Sequence, residues 1–210
     1  MSASGSPSKP RAADAAKRAM DVGLCLLALP LALPLMALVA LAVKADSPGP
    51  VLFRQERVGR GGVPFRIHKF RSMRLHDGSG PQVTAAGDAR ITRVGRWLRA
   101  SKLDELPQLI DVLKGDMSLV GPRPEVARYL AHYPDEARRV ILSVRPGITD
   151  RAAIEFRDEE RLLADSADPE RTYVEQVMPV KQRYYLDYVA QRSLGGDVRI
   201  LIDTLRALLR

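Results

Sequence analysis

The sequence predicts an α+β protein, mostly helical: a re-entrant membrane helix plus a small cytosolic domain with a short β-hairpin and interfacial amphipathic helices. Three patterns carry that reading. The 22 residues from Val22 to Val43 hold no charge and contain Pro30 and Pro34. Gly59, Gly61 and Gly62 separate two short β-prone stretches, and much of the remainder places apolar residues at helical spacing. Hydrophobic residues make up 46% of the 210, charged residues 28% and aromatics 5%, which excludes a wholly disordered chain and a polytopic membrane protein. A net charge of +8 favours anionic partners such as lipid head groups, phosphates or nucleic acid. Cys25 alone cannot form an intramolecular disulfide, and His68, His76 and His132 lack the spacing of a metal pair. Disulfide scaffolds and zinc fingers are excluded.

Residues 1–13 are small and polar and read as a disordered tail. Residues 14–46 form the membrane element. Its uncharged run would reach ~33 Å as a straight helix, enough to cross a bilayer. Pro30 and Pro34 each remove a helix hydrogen bond and crowd the preceding turn, so the expectation is a break into two half-length pieces. Basic residues flank both ends, Lys17 and Arg18 before and Lys44, Arg54, Arg57 and Arg60 after. A spanning helix would place one flank outside, against the positive-inside tendency, whereas a helix that enters, bends and returns keeps both in the cytoplasm. A kinked single span is the alternative. A cleaved signal peptide fits less well, because the apolar run before Ala40-Leu41-Ala42 is long and twice interrupted by proline.

Residues 47–210 read as a cytosolic, interfacial domain. Asp46-Ser47-Pro48-Gly49-Pro50 ends the apolar segment, and 51–58 with 64–70 form the hairpin across the glycines. That turn lacks the Gly-Lys-Ser/Thr of a P-loop. Residues 76–88 read as a mobile loop. Ile91, Val94 and Leu98 among Arg90, Arg93, Arg96 and Arg99 make a basic amphipathic helix suited to an anionic membrane surface, or an ordinary helix with a solvated basic face. Further helices are expected over 103–114, with Gly115 as the stop, over 125–144, 155–165 and 173–190, and over 201–209.

Short constellations in this domain could carry chemistry. Asp104 and Glu105 fall in or just before a first helical turn, with Ser101 three residues ahead of Asp104 and Pro107 just beyond. The helix dipole there would hold a carboxylate ionised; a plain capping box is the simpler reading. Pro122 and Pro124 restrict Arg123, which suits either a fixed phosphate fork or a rigid turn with an incidental arginine. Lys69 and Arg71 in Lys69-Phe70-Arg71-Ser72-Met73, and Arg145 in Arg145-Pro146-Gly147-Ile148, are ordinary one by one.

Taken in order, the motifs form a signature. The proline-interrupted segment is followed by Asp46-Ser47-Pro48-Gly49-Pro50-Val51, Lys69-Phe70-Arg71-Ser72-Met73 and Leu103-Asp104-Glu105-Leu106-Pro107-Gln108-Leu109. Lys114-Gly115-Asp116-Met117-Ser118, Gly121-Pro122-Arg123-Pro124 and Arg145-Pro146-Gly147-Ile148-Thr149 complete it. Over residues 17–205 the chain closely resembles the bacterial sugar transferases, the monotopic polyprenyl-phosphate phosphoglycosyl transferases. The length resembles their minimal catalytic form. The resemblance implies a re-entrant helix broken at Pro34, although this chain has Leu33 before that proline and an additional Pro30. It implies transfer of a phosphosugar from a UDP-sugar to undecaprenyl phosphate, releasing UMP, through an aspartyl phosphosugar on Asp104. It further implies Mg²⁺ with Asp104 as its ligand, Glu105 as acid/base or metal-supporting partner, and phosphate or nucleotide contacts from Lys69, Arg71, Arg99, Arg123 and Arg145. Expected partners are the UDP-sugar, undecaprenyl phosphate and anionic membrane lipids, with no nucleic acid. The expected place is the cytoplasmic face of the bacterial inner membrane, at the first membrane step of glycoconjugate synthesis such as an exopolysaccharide. Residues 148–163 and 165–179 are candidates for sugar selection.

Two other classes compete. A membrane-anchored nucleic-acid binder would use the +8 charge but needs stacking platforms that four Phe and one Trp barely offer. A non-enzymatic membrane scaffold needs only the apolar anchor and the basic helix.

Overall fold

Helix α1, Ala12–Asp46, sets the architecture because both of its ends are fastened to the same body. The structure, a computed structural model, describes residues 12–74 and 87–209. The expected tail, apart from Ala12 and Ala13, and the expected loop, apart from Gly87 and Asp88, lie outside the described residues. Near the start of α1, Arg18 donates to the carbonyls of Val112 and Leu113, and Lys17 pairs with Asp21 at 2.9 Å and Asp197 at 3.0 Å. At the other end the buried Arg71 donates to the carbonyls of Ser47 (2.7 Å) and Pro48, and Asp46 accepts from the Val94 N–H at 3.0 Å.

Between these ties, Asp21, Cys25, Ala32, Val39 and Val43 are buried. Their spacings of 4, 7, 7 and 4 residues place them on one stripe of a 3.6-residue helix. Helical structure therefore runs through Pro30 and Pro34 without losing phase, where the sequence had led us to expect two half-helices. Both prolines are exposed, on the opposite stripe with Leu27, Leu31 and Leu41. There the missing N–H and the crowding of the ring cost no contact with the body.

The expected hairpin forms. β1 (Leu52–Val58) pairs antiparallel with β2 (Pro64–Phe70), in register from Leu52 opposite Phe70 to Val58 opposite Pro64. α2 (Arg93–Ser101) follows, capped by Thr92, whose hydroxyl accepts from the Gly95 N–H at 2.9 Å. Ser101 ends α2 and donates back to the carbonyls of Trp97 and Leu98, so the expected capping box with Asp104 is not made. The chain then turns at Lys102, whose φ of 58° is the only positive value at a non-glycine among the described residues. A single 3₁₀ turn, Leu103–Glu105, precedes α3 (Gln108–Lys114), which Pro107 opens and Gly115 closes. One expected helix is thus two pieces.

β3 (Ser118–Val120) lies parallel to β4 (Gly147–Thr149), a pair too short to give a sequence signal. The backbones meet closely beside it: a Cβ on Gly147 would stand 2.1 Å from the Gly121 nitrogen. Pro134 splits the expected helix over 125–144 into α4 (Ala127–Leu130) and α5 (Asp135–Ile141). α6 (Arg151–Glu155), α7 (Glu159–Ala164) and α8 (Pro169–Thr172) lead through a π turn, Tyr173–Val177, into α9 (Met178–Gln191). α10 (Leu194–Leu208) begins at a Ser193 cap, earlier than expected; Gly195 and Gly196 in its first turn are weak helix formers and hide that start in the sequence. Three apolar clusters fill the interior, and α1 contributes to two of them: Cys25 and Ala32 to one, Val39 and Val43 to the other.

Candidate active site

The 3₁₀ turn after α2 projects Asp104 and Glu105 into a cavity of about 440 Å³. The cavity is walled by β1, the end of β2, β4 and its following helices, α9 and α10. Lys102 fixes the angle of entry: its left-handed backbone costs roughly 1 kcal/mol and is held by the packing on either side.

Glu105 is fully engaged. Lys69 Nζ donates to its Oε1 at 2.8 Å, and Arg123 forks onto both oxygens, with Nη1 to Oε2 at 3.2 Å. Burial pushes the Glu105 carboxyl up, but Arg123 and Lys69 together outweigh it and hold the group well below the usual carboxylate range. Asp104 differs. Lys69 stands 3.7 Å from its Oδ2, while Oδ1 is buried without a hydrogen-bond partner. Burial raises its carboxyl above the ordinary value, Lys69 opposes that rise, and the Glu105 charge adds to it. The sequence had suggested a helix dipole holding Asp104 ionised; burial reverses that direction. Lys69 itself is lowered by burial, against the two carboxylates that favour its charge.

Of the residues singled out from sequence, Lys69, Arg99, Asp104, Glu105 and Arg123 line this cavity together. Arg99 there pairs with Glu160 and donates to the Ser72 hydroxyl at 3.3 Å. Arg71 and Arg145 are not in its lining. Arg71 is spent on the carbonyls that end α1, and Arg145 donates to the Gly115 carbonyl at 2.8 Å. Burial and the neighbouring Arg60 and Arg18 lower the Arg145 pKa, which marks a crowded cationic corner on the α1 side. Pro30 and Pro34 lie in the exposed stripe of α1.

Sequence reasoning missed other cavity residues. Gln55 and Arg57 alternate onto one face of β1, a period-two signal present in the sequence; Arg57 donates to Gln55 at 2.7 Å and to the Pro124 carbonyl at 3.1 Å. Lys181 pairs with Glu159 and lies 5.2 Å and 5.7 Å from the Tyr173 and Phe156 ring centres. Its place on a charged helix gave no sign of burial. Asp150, just after the cavity residue Thr149, caps α6 at the Ala153 N–H (2.9 Å), and burial raises its carboxyl to about 6. Among the described residues no group of three or more His, Cys, Asp or Glu converges as a metal cage.

The arrangement pairs one open buried carboxylate oxygen with cations suited to phosphate. The profile of the bacterial sugar transferase family matches residues 12–210. The exopolysaccharide production protein PSS of Rhizobium leguminosarum bv. phaseoli is 52% identical over 201 residues, covering 90% of this chain and 92% of that protein. A UDP-glucose:undecaprenyl-phosphate glucose-1-phosphate transferase of Caulobacter vibrioides is 44% identical over 213 residues, covering 98% and 74%. A UDP-N-acetylgalactosamine-undecaprenyl-phosphate N-acetylgalactosaminephosphotransferase of Aeromonas hydrophila is 40% identical over 196 residues; the match covers 92% of this chain but 43% of that longer protein. The match to a Xanthomonas campestris glucose-1-phosphate transferase likewise covers 38% of that relative's length. With the profile running from the first helix to the last residue, the chain belongs to the bacterial sugar transferase family.

Proposed function

We propose that the chain is a phosphoglycosyl transferase that moves a sugar phosphate from a UDP-sugar to undecaprenyl phosphate, releasing UMP. The relatives' names support both substrates, with glucose and N-acetylgalactosamine as the sugars they handle. The observation that carries the mechanism is the contrast within the acidic pair: Glu105 is clamped, and Asp104 Oδ1 is free.

An Asp104 oxygen forms a bond to the sugar-linked phosphorus as the bond from that phosphorus to the UMP oxygen breaks, and the electron pair leaves with UMP. An oxygen of undecaprenyl phosphate then bonds to the same phosphorus, and Asp104 recovers its carboxylate. Lys69 lies close enough to favour the ionised nucleophile, and Glu105 holds Lys69 and Arg123 aimed into the cavity. Arg99 and Arg123 are placed to receive the diphosphate charge. A single free carboxylate fits Mg²⁺, which typically takes one or two carboxylates and completes its shell with substrate phosphate and water. Bound through Asp104, the ion would supply the charge that lets an anion approach a diphosphate.

The membrane placement is supported by α1. Its inner stripe rests on the catalytic body, both ends are tied to that body, and the outer stripe of leucines is exposed. A helix held this way cannot carry one end across to the far side of the bilayer and presents its leucine stripe to a single leaflet, keeping the active site at the cytoplasmic head-group level where a soluble donor and a lipid acceptor meet. Synthesis of an exopolysaccharide is the pathway that the Rhizobium relative's name supports.

The test uses detergent-solubilised protein with Mg²⁺, undecaprenyl phosphate and a panel of UDP-sugars. UMP release is expected with at least one donor, together with a covalent adduct on Asp104 from labelled donor. Product formation without any adduct would defeat the covalent step.

A further inference from the structure

The cavity has an apolar half that the phosphate chemistry leaves unused. Leu106 directly follows the acidic pair, and it lines the cavity together with Ile148, Ile154, Leu201 and Leu208, which make up an apolar wall. α10 turns Leu201, Thr204 and Leu208 toward the cavity at the spacing of helical turns. Its position is fixed by the Arg151–Asp203 pair at 2.6 Å, the Thr149–Thr204 hydroxyl contact at 2.8 Å and the Arg157 donor on the Ala207 carbonyl. Leu208 is 39% exposed, and Leu205 and Leu209 beside it are more exposed still.

Four of these five side chains pack against the apolar clusters that α1 helps to build. Leu106 packs on the cluster of Val39 and Val43, and Ile148, Ile154 and Leu201 pack on the cluster of Cys25 and Ala32. A cationic half beside an apolar half complements a ligand with an anionic head and a hydrocarbon tail. A nucleotide sugar has no such tail.

We propose that this wall seats the first isoprene units of the polyprenyl phosphate, so that α10 sets acceptor affinity and leaves the donor to the cations opposite. The proposal rests on the transferase reading above. It is tested with Leu208→Gln, at a partly exposed position that tolerates the change, and with Leu201→Gln and Leu201→Met. UMP released before acceptor is added reads the first half-reaction, and transfer to undecaprenyl phosphate reads the second.

For both glutamine variants the expected result is an unchanged UMP burst and a KM for undecaprenyl phosphate raised about tenfold or more, the scale of a few lost methylene contacts. Leu201→Met should restore the native KM. With acceptors of decreasing isoprene number, the native KM should rise once the chain no longer fills the wall, and Leu208→Gln should flatten that dependence. An unchanged acceptor KM, or an equal fall in burst and transfer, overturns the proposal. A native protein without a burst defeats only the covalent reading; the chain-length comparison still decides whether the wall holds the tail.

Discussion

Asp104 and Glu105 are chain neighbours with opposite electrostatic fates. Glu105 is held ionised by two cations, so its contribution to stability is present at neutral pH and lost as pH falls through its lowered value. Asp104 is held in a burial that disfavours its charge, so the folded state loses stability as pH rises through its raised value. Asp104→Asn should therefore abolish UMP release, by about 10⁴-fold or more as for other lost nucleophiles, while raising Tm at pH 7 in a thermal melt. A fall in Tm would contradict the raised value. The acid limb of the first half-reaction should lie above the usual aspartate range. Glu105→Gln removes the like charge and frees Lys69 for Asp104, so that limb should move to lower pH even as the rate falls by about 10²-fold. The acidic pair was legible as a motif, but not which oxygen is free. That depends on Lys69 and Arg123 arriving from 36 residues before and 18 residues after Glu105.

Elements with strong local signals were readable: the hairpin from its glycines, and α2 from its arginine and leucine spacing. The β3–β4 pair was not, because three-residue strands carry no period and their pairing depends on the crossing of Gly121 and Gly147. Gly147→Ala drives a methyl into backbone and should leave the protein insoluble or unfolded by circular dichroism. Gly23→Ala, with nothing within 4 Å of the added carbon, should instead stabilise α1 by about 1 kcal/mol in denaturant titration. Helix α1 was misjudged at its prolines for a related reason. Local rules count the lost hydrogen bond, whereas Pro30 and Pro34 sit on the stripe that makes no contact with the body, and the buried stripe keeps its phase past them. The sequence did not separate Arg71 and Arg145, which donate to carbonyls outside the cavity lining, from the cations that line it, because a cation beside a turn looks the same whether it faces a cavity or caps carbonyls.

At the scale of the molecule, the two ends of α1 report on topology together. Ala13→Cys and Ala45→Cys, both exposed positions, should react with a membrane-impermeant maleimide only after cells are opened. Labelling of either one from outside would mean a true span. The shared clusters have a further consequence. Ile67, Leu109, Val112 and Met117 are covered in part by Cys25 and Ala32, and Phe70 and Leu98 by Val39 and Val43. A fragment of residues 47–210 would bare both surfaces, and we expect it to aggregate or to bind hydrophobic dyes rather than dissolve. A proteolytic clip or shortened transcript is not expected to set this enzyme adrift as a soluble worker, since the helix proposed to moor it also completes the floor under the turn that carries Asp104 and Glu105.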